Sequence, residues 1–138
     1  MSLPAIHFRC SPQAAFDYLS DPARRPEWQS SLRSVVPISD PVDGPNAEWV
    51  DVTWPGLRPR MSTTVYEPGV RWAEVGHWRG VSATLELAFT PRDGGTDVTP
   101  RMDLTGSSWW RPAVWIAGRL APGAVAADLR RAATLCSM

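Results

Sequence analysis

Lysine is absent: all 14 cationic residues of this 138-residue chain are arginine. That removes Schiff-base chemistry and Walker-type phosphate binding, since both depend on a lysine ammonium. An excess of either charge sign is also missing. The 14 Lys+Arg residues balance 14 Asp+Glu residues, so the chain carries no electrostatic footprint for nucleic acid. Histidine is scarce, at His7 and His77 only, and neither sits in metal-ligand spacing with another His or a Cys, so no metal site is expected. Gly-x-Ser-x-Gly and Gly-x-Gly-x-x-Gly motifs are lacking, which weakens hydrolase and dehydrogenase readings, and no cofactor is expected.

Cysteine is limited to Cys10 and Cys136, near opposite ends, and neither has a neighbouring His to activate a thiolate. They read as reduced thiols of a cytosolic protein, with an end-to-end disulfide as the alternative. Long apolar runs are missing too. Ala113 to Ala117 is far too short to span a bilayer, and Met1 to Ile6 has neither the basic nor the apolar region of a secretory signal. The expected location is the cytoplasm, with no membrane span.

Phenylalanine and tyrosine together number only five, whereas tryptophan numbers eight, at positions 28, 49, 54, 72, 78, 109, 110 and 115. Indoles therefore carry much of the apolar surface, and each brings an N–H that needs a partner when buried. They could form a bulky core or the walls of a cavity for a flat ligand. The chain is globular by composition, 43% hydrophobic and 20% charged, and its length predicts a single domain over 1–138.

Residues 5–10 alternate as a strand, and Ser11-Pro12 is an N-cap followed by proline at the first helical position. A helix to about Leu19 follows, then a second short helix through Trp28 after Asp21-Pro22. Strands are predicted over 31–37, 46–54, 60–67, 71–78, 81–90 and 96–104, with turns at Pro68-Gly69, Arg79-Gly80 and Asp93-Gly94. Pro100 predicts a bulge or an unpaired side in the last strand. From Trp109 to Thr134 the apolar spacing is helical, with a kink or break at Pro122-Gly123. The order predicts a curved antiparallel sheet of six to seven strands around one long C-terminal helix, with two short helices after the first strand and a cavity beneath the terminal helix.

Three segments then carry a resemblance: Ser11 to Asp21 with Pro26-Glu27-Trp28-Gln29; Val65-Tyr66-Glu67-Pro68-Gly69-Val70-Arg71-Trp72; and Phe89-Thr90-Pro91-Arg92-Asp93-Gly94-Gly95-Thr96-Asp97-Val98. The chain resembles the START-like or SRPBCC superfamily, in its polyketide cyclase/dehydrase group. The resemblance implies an α+β helix-grip fold and a ligand cavity. Members of the group include lipid and hormone binders, plant allergens and polyketide aromatase/cyclases, so the fold leaves the activity open. Aromatase/cyclases place a Ser and an Arg two apart on the strand equivalent to 60–67. Here Ser62 and Thr64 fill those places, with Arg60 one step earlier in the same alternation. The family's usual aromatic before the proline of the second helix is replaced by Arg25.

Alternation puts Arg60, Ser62, Thr64 and Tyr66 on one face of that strand. For an enzyme that closes rings in a poly-β-ketone, the resemblance suggests Arg60 as the cation and Tyr66 or His77 as proton shuttle. The ligand walls would be Trp28, Trp49, Trp72, Trp78, Leu85 and Leu87, with Trp109, Ala113 and Ile116 on the terminal helix. A binder would use the same cavity without turnover. A third reading makes Trp109-Trp110-Arg111 an anchor for a carrier protein or a second subunit, such as a homodimer partner. Glu74, Asp51 and Asp103 are expected to point outward.

Overall fold

The computed structural model describes residues 2–41, 43–54, 56–106 and 122–137. Strand β1 (Ile6–Phe8) leads to helix α1 (Pro12–Ser20), a 3-10 turn (Pro22–Arg24) and helix α2 (Arg25–Trp28). Strands β2 (Leu32–Pro37), β3 (Glu48–Thr53), β4 (Arg60–Glu67), β5 (Arg71–Trp78), β6 (Val81–Arg92) and β7 (Gly95–Gly106) follow, and helix α3 (Pro122–Cys136) closes the chain. The seven strands form one sheet in the order β1-β7-β6-β5-β4-β3-β2, antiparallel at every pairing. This is the predicted architecture. The anchor at Trp109-Trp110-Arg111 and the first part of the predicted terminal helix lie outside the described residues.

Local chemistry accounts for the joints. Ser11 Oγ accepts from the Ala14 N–H at 3.1 Å, and Asp21 Oδ1 accepts from the Ala23 N–H at 3.0 Å. Each satisfies a donor that a helix start leaves without an intrahelical partner. The β6–β7 hairpin turns through Asp93 at φ 49 and Gly94 at φ 77, the positive angles that a two-residue hairpin with matched twist requires.

Proline 100 produces no bulge: β6 and β7 pair without a shift from Val81↔Gly106 to Arg92↔Gly95. The Pro100 carbonyl accepts from the Leu3 N–H at 2.9 Å. A residue's N–H and C=O leave a strand on the same side, so the missing donor faces the β1 edge. The β1 ladder ends at Ile6↔Val98 and the edge pairs again only through the isolated bridge Ser2↔Arg101, so the absent Pro100 donor falls between the two.

The inward face of β6 carries Val81, Ala83, Leu85, Leu87 and Phe89, all buried. Their β7 partners Val98 and Met102 are buried with them. Helix α1 sets Ala15, Phe16 and Leu19 against this layer, with the Phe16 ring 5.4 Å from Phe89. Helix α3 buries Val125, Leu129 and Ala132 and packs on α1, α2 and β1. Two polar ties hold it: Asp128 Oδ1 accepts from Ser30 Oγ at 2.9 Å, and Arg131 Nε donates to the Glu27 carbonyl at 2.8 Å.

Candidate functional site

Strand β5 alternates Trp72, Glu74, Gly76 and Trp78 toward the interior, opposite Leu87, Leu85, Ala83 and Val81 of β6. Strand β3 adds Trp49, and α2 adds Arg25 and Trp28, one turn apart. These elements converge on one guanidinium. Arg25 is 1% exposed, and its charge centre lies 5.5 Å from the Trp28 ring, 5.9 Å from Trp49 and 5.5 Å from Trp72. At such distances each ring face attracts the cation.

The guanidinium fork is also bonded in its plane. Both terminal nitrogens donate to the Glu74 carboxylate, the Nη2–Oε1 contact measuring 2.9 Å. Arg25 Nε and Nη2 donate to Gln29 Oε1 at 3.0 and 2.8 Å. Glu74 is itself 1% exposed, so a paired charge sits inside an indole cage. Beside it, Trp49 Nε1 donates to Asp51 Oδ1 at 2.8 Å, with both residues fully buried. The expectation that Glu74 and Asp51 point outward is thus overturned, while Asp103 is exposed as expected. The signal for Glu74 was present in the sequence, because it shares the alternation phase of Trp72 and Trp78.

Not every indole has a partner. Trp28 Nε1 and Trp72 Nε1 are buried and unbonded among the described residues. A void of about 20 Å³ adjoins this centre, lined among those residues by Arg25, Trp28, Gln29, Leu85, Val125, Asp128 and Leu129. That is room for about one water-sized group. Trp109, Ala113 and Ile116, assigned above to the cavity wall, lie outside the described residues.

Strand β4 departs from the predicted alternation. Thr63 pairs with Glu74 and Val65 with Ala73, so two residues of β4 advance against one of β5 and Thr64 is the extra residue of a bulge. The bulge reverses the faces. Tyr66, opposite Trp72, turns inward with its ring 5.0 Å from Phe16. Ser62 and Arg60, opposite Val75 and His77, turn outward, and Thr64 is exposed. Arg60 pairs with Glu48 at 2.9 Å at the surface, and His77 Nδ1 bonds Ser82 Oγ at 2.8 Å, also at the surface. The expected shared face of Arg60, Ser62, Thr64 and Tyr66 therefore does not form. Trp78 is half-buried at the end of β5, its ring under Arg79 at 5.3 Å.

A second concavity, an open groove of about 670 Å³, runs between α1, α2 and the end of α3. Its lining includes Tyr18, Tyr66, Cys136, four carboxylates (Asp17, Asp21, Glu27 and Asp43) and Arg24. Burial and a hydrogen bond to Glu27, 3.0 Å away, push the Tyr18 hydroxyl up to about 12. Burial and the nearby Asp17 raise Tyr66. Among the described residues no group of three His, Cys, Asp or Glu side chains could hold a metal, and no helix is long and apolar enough to cross a membrane.

Solved structures share this architecture over nearly the whole chain. A protein from Deinococcus radiodurans superposes with a TM-score of 0.68 at 19% identity, covering 99% of this chain and 98% of its own. A hypothetical protein from Helicobacter pylori gives 0.77 at 12% identity, with 99% and 86% covered. Ara h 8.0201 gives 0.68 at 8% identity, with 99% and 97% covered. At these identities the likeness is one of fold, the helix-grip fold. No curated protein matches the sequence. The model of the family described as polyketide cyclase / dehydrase and lipid transport matches residues 5–136. With that match and the seven-stranded sheet closed by a C-terminal helix, the chain belongs to the polyketide cyclase/dehydrase and lipid transport family.

Proposed function

We propose that this domain binds a flat hydrophobic small molecule, aromatic or polyketide-like, at the Trp28 edge of the indole cluster, in the void between α2, β6 and α3, which opens beyond its one-water size to admit the ring. Leu85, Val125 and Leu129 supply the apolar floor, with Leu87 packed beside them as part of the core. One observation carries the reading: Trp28, which lines the void, has a buried Nε1 donor without an acceptor among the described residues. Leaving a buried donor unmade costs about 1–3 kcal/mol, a cost that a ligand carbonyl or phenol oxygen reaching the Trp28 side of the void would relieve. Arg25 takes the place assigned above to Arg60, as the cation that faces the interior.

Titration of intrinsic tryptophan fluorescence with polycyclic ketones and phenols tests this reading. Saturable quenching is expected for at least one of them, with affinity about tenfold weaker in Trp28→Phe, the equivalent of one lost hydrogen bond. A flat response across the panel refutes it.

The buried Arg25–Glu74 pair favours a second reading, ring closure in a poly-β-ketone. A guanidinium can stabilise a developing enolate, and a carboxylate can carry the proton lost in dehydration. Turnover separates the two: a cyclase converts a poly-β-ketone and loses that conversion in Glu74→Gln, whereas a binder leaves it unconverted in the parent chain, the variant being less stable under either reading.

A further inference from the structure

The two cysteines, 126 positions apart in sequence, meet in the fold. Cys10 Sγ lies 2.7 Å from Cys136 Sγ, and both thiols are half-buried. Each is held by its own surroundings. Cys10 sits between β1 and the N-cap of α1, and its carbonyl accepts from Thr96 Oγ1 at 2.9 Å. Cys136 ends α3, which Ser30 and Glu27 tie down at Asp128 and Arg131. The approach therefore unites two anchored elements. The open groove described above reaches Cys136, giving a small molecule a route to the pair.

The geometry points to Cys10 and Cys136 as a redox-active dithiol that a low-molecular-weight disulfide converts to an internal disulfide, fastening the end of α3 to the β1–α1 junction. The electrons balance in two exchanges. One thiolate of the pair attacks one sulfur of the small disulfide, breaking its S–S bond and releasing one small thiolate, which takes up a proton. The second cysteine, having lost its proton to solvent, then attacks the first Sγ and expels the other small thiolate, which is protonated in turn. The protein loses two electrons and the oxidant gains them.

Burial and the neighbouring Cys10 push the Cys136 thiol up to about 12, so exchange at Cys136 should quicken as pH rises. Among the described residues the groove lining sets four carboxylates against one guanidinium, which selects a cationic disulfide over an anionic one. This inference is independent of the ligand reading above, because it involves neither the indole cluster nor any turnover.

The test treats the full-length reduced chain with cystamine or with glutathione disulfide and follows intact mass, peptide mapping and thermal unfolding. Cystamine should yield a 10–136 disulfide with no retained adduct, faster than glutathione disulfide does. The crosslink should raise Tm by about 5 °C or more, since it closes a loop spanning almost the whole chain, and dithiothreitol should reverse the rise. Cys10→Ser and Cys136→Ser should each stop at a mixed disulfide on the remaining thiol. Thiols that stay reduced, a persistent adduct on the wild-type chain, or only intermolecular dimers would overturn the assignment. The wild-type comparison stands even if a variant fails to fold.

Discussion

Replacing Glu74 by Leu takes the bidentate carboxylate from a guanidinium that is 1% exposed. Arg25 would keep Gln29 Oε1 and three ring faces. Neither substitutes for a full counter-charge, because each ring contact contributes only about 0.5–2 kcal/mol. Breaking a buried pair from one side costs about 3–5 kcal/mol, a large share of the roughly 5–15 kcal/mol that holds a domain folded. For a chain of this length that corresponds to a fall in Tm on the order of 10 °C. Arg25→Met should cost a comparable amount. The double variant Arg25→Met/Glu74→Leu should return to within about 2 kcal/mol of the parent, since an apolar pair of similar volume avoids the desolvation of both ions. Urea unfolding followed by tryptophan fluorescence and far-UV circular dichroism gives all four corners of the cycle. A coupling of at least about 2 kcal/mol is expected, and additivity within about 0.5 kcal/mol would refute the picture of a mutually dependent buried pair.

Three further outcomes are expected. Arg60→Ala should change stability by less than about 1 kcal/mol in urea unfolding, because its pair with Glu48 is surface-exposed; a loss of several kcal/mol would contradict the outward orientation set by the β4 bulge. Gly95→Ala should destabilise by about 1–3 kcal/mol: a Cβ there would stand 2.3 Å from the Phe8 carbonyl oxygen, forcing β1 off β7, and faster amide exchange at Phe8 would report the shift. Stability should fall with rising alkalinity, from about pH 9 for Cys136 and pH 10 for Tyr18 up to about pH 12. Over that window the unfolded chain releases protons that the native chain retains, so the native state is progressively disfavoured. Cys136→Ala should make the decline shallower, and an unchanged pH profile would argue against burial of the thiol.

Much of the fold is legible in the sequence. Strands β4 and β5 follow their predicted bounds because each ends at a strong turn signal, Pro68-Gly69 or Arg79-Gly80, and α1 begins at the predicted cap. Burial of Leu85 and Leu87 followed from the alternation of β6, the least ambiguous in the chain. The bulge at Thr64 was not legible, since one extra residue leaves no mark on composition yet reverses every side chain beyond it. That single insertion sends Arg60 and Ser62 outward while Tyr66 stays inside.

The family resemblance made Arg25 look like a lost aromatic. In the structure it is the charge at the centre of three indoles, and the aromatic surface comes from β3, β5 and α2 around it. No local pattern could announce this, because the partners Trp28, Trp49, Trp72 and Glu74 are brought together only when the sheet and α2 pack.

The sequence by itself determined the order of elements, the turns, the α+β class and the surplus of indole surface, since each follows from periodicity, proline and glycine placement, or composition. The tertiary structure alone decided which partner each buried charge meets, which face of β4 looks inward, and that Cys10 meets Cys136. Those outcomes depend on contacts between segments far apart in the chain, where the free energy of burying one group is set by the partner that packing brings to it.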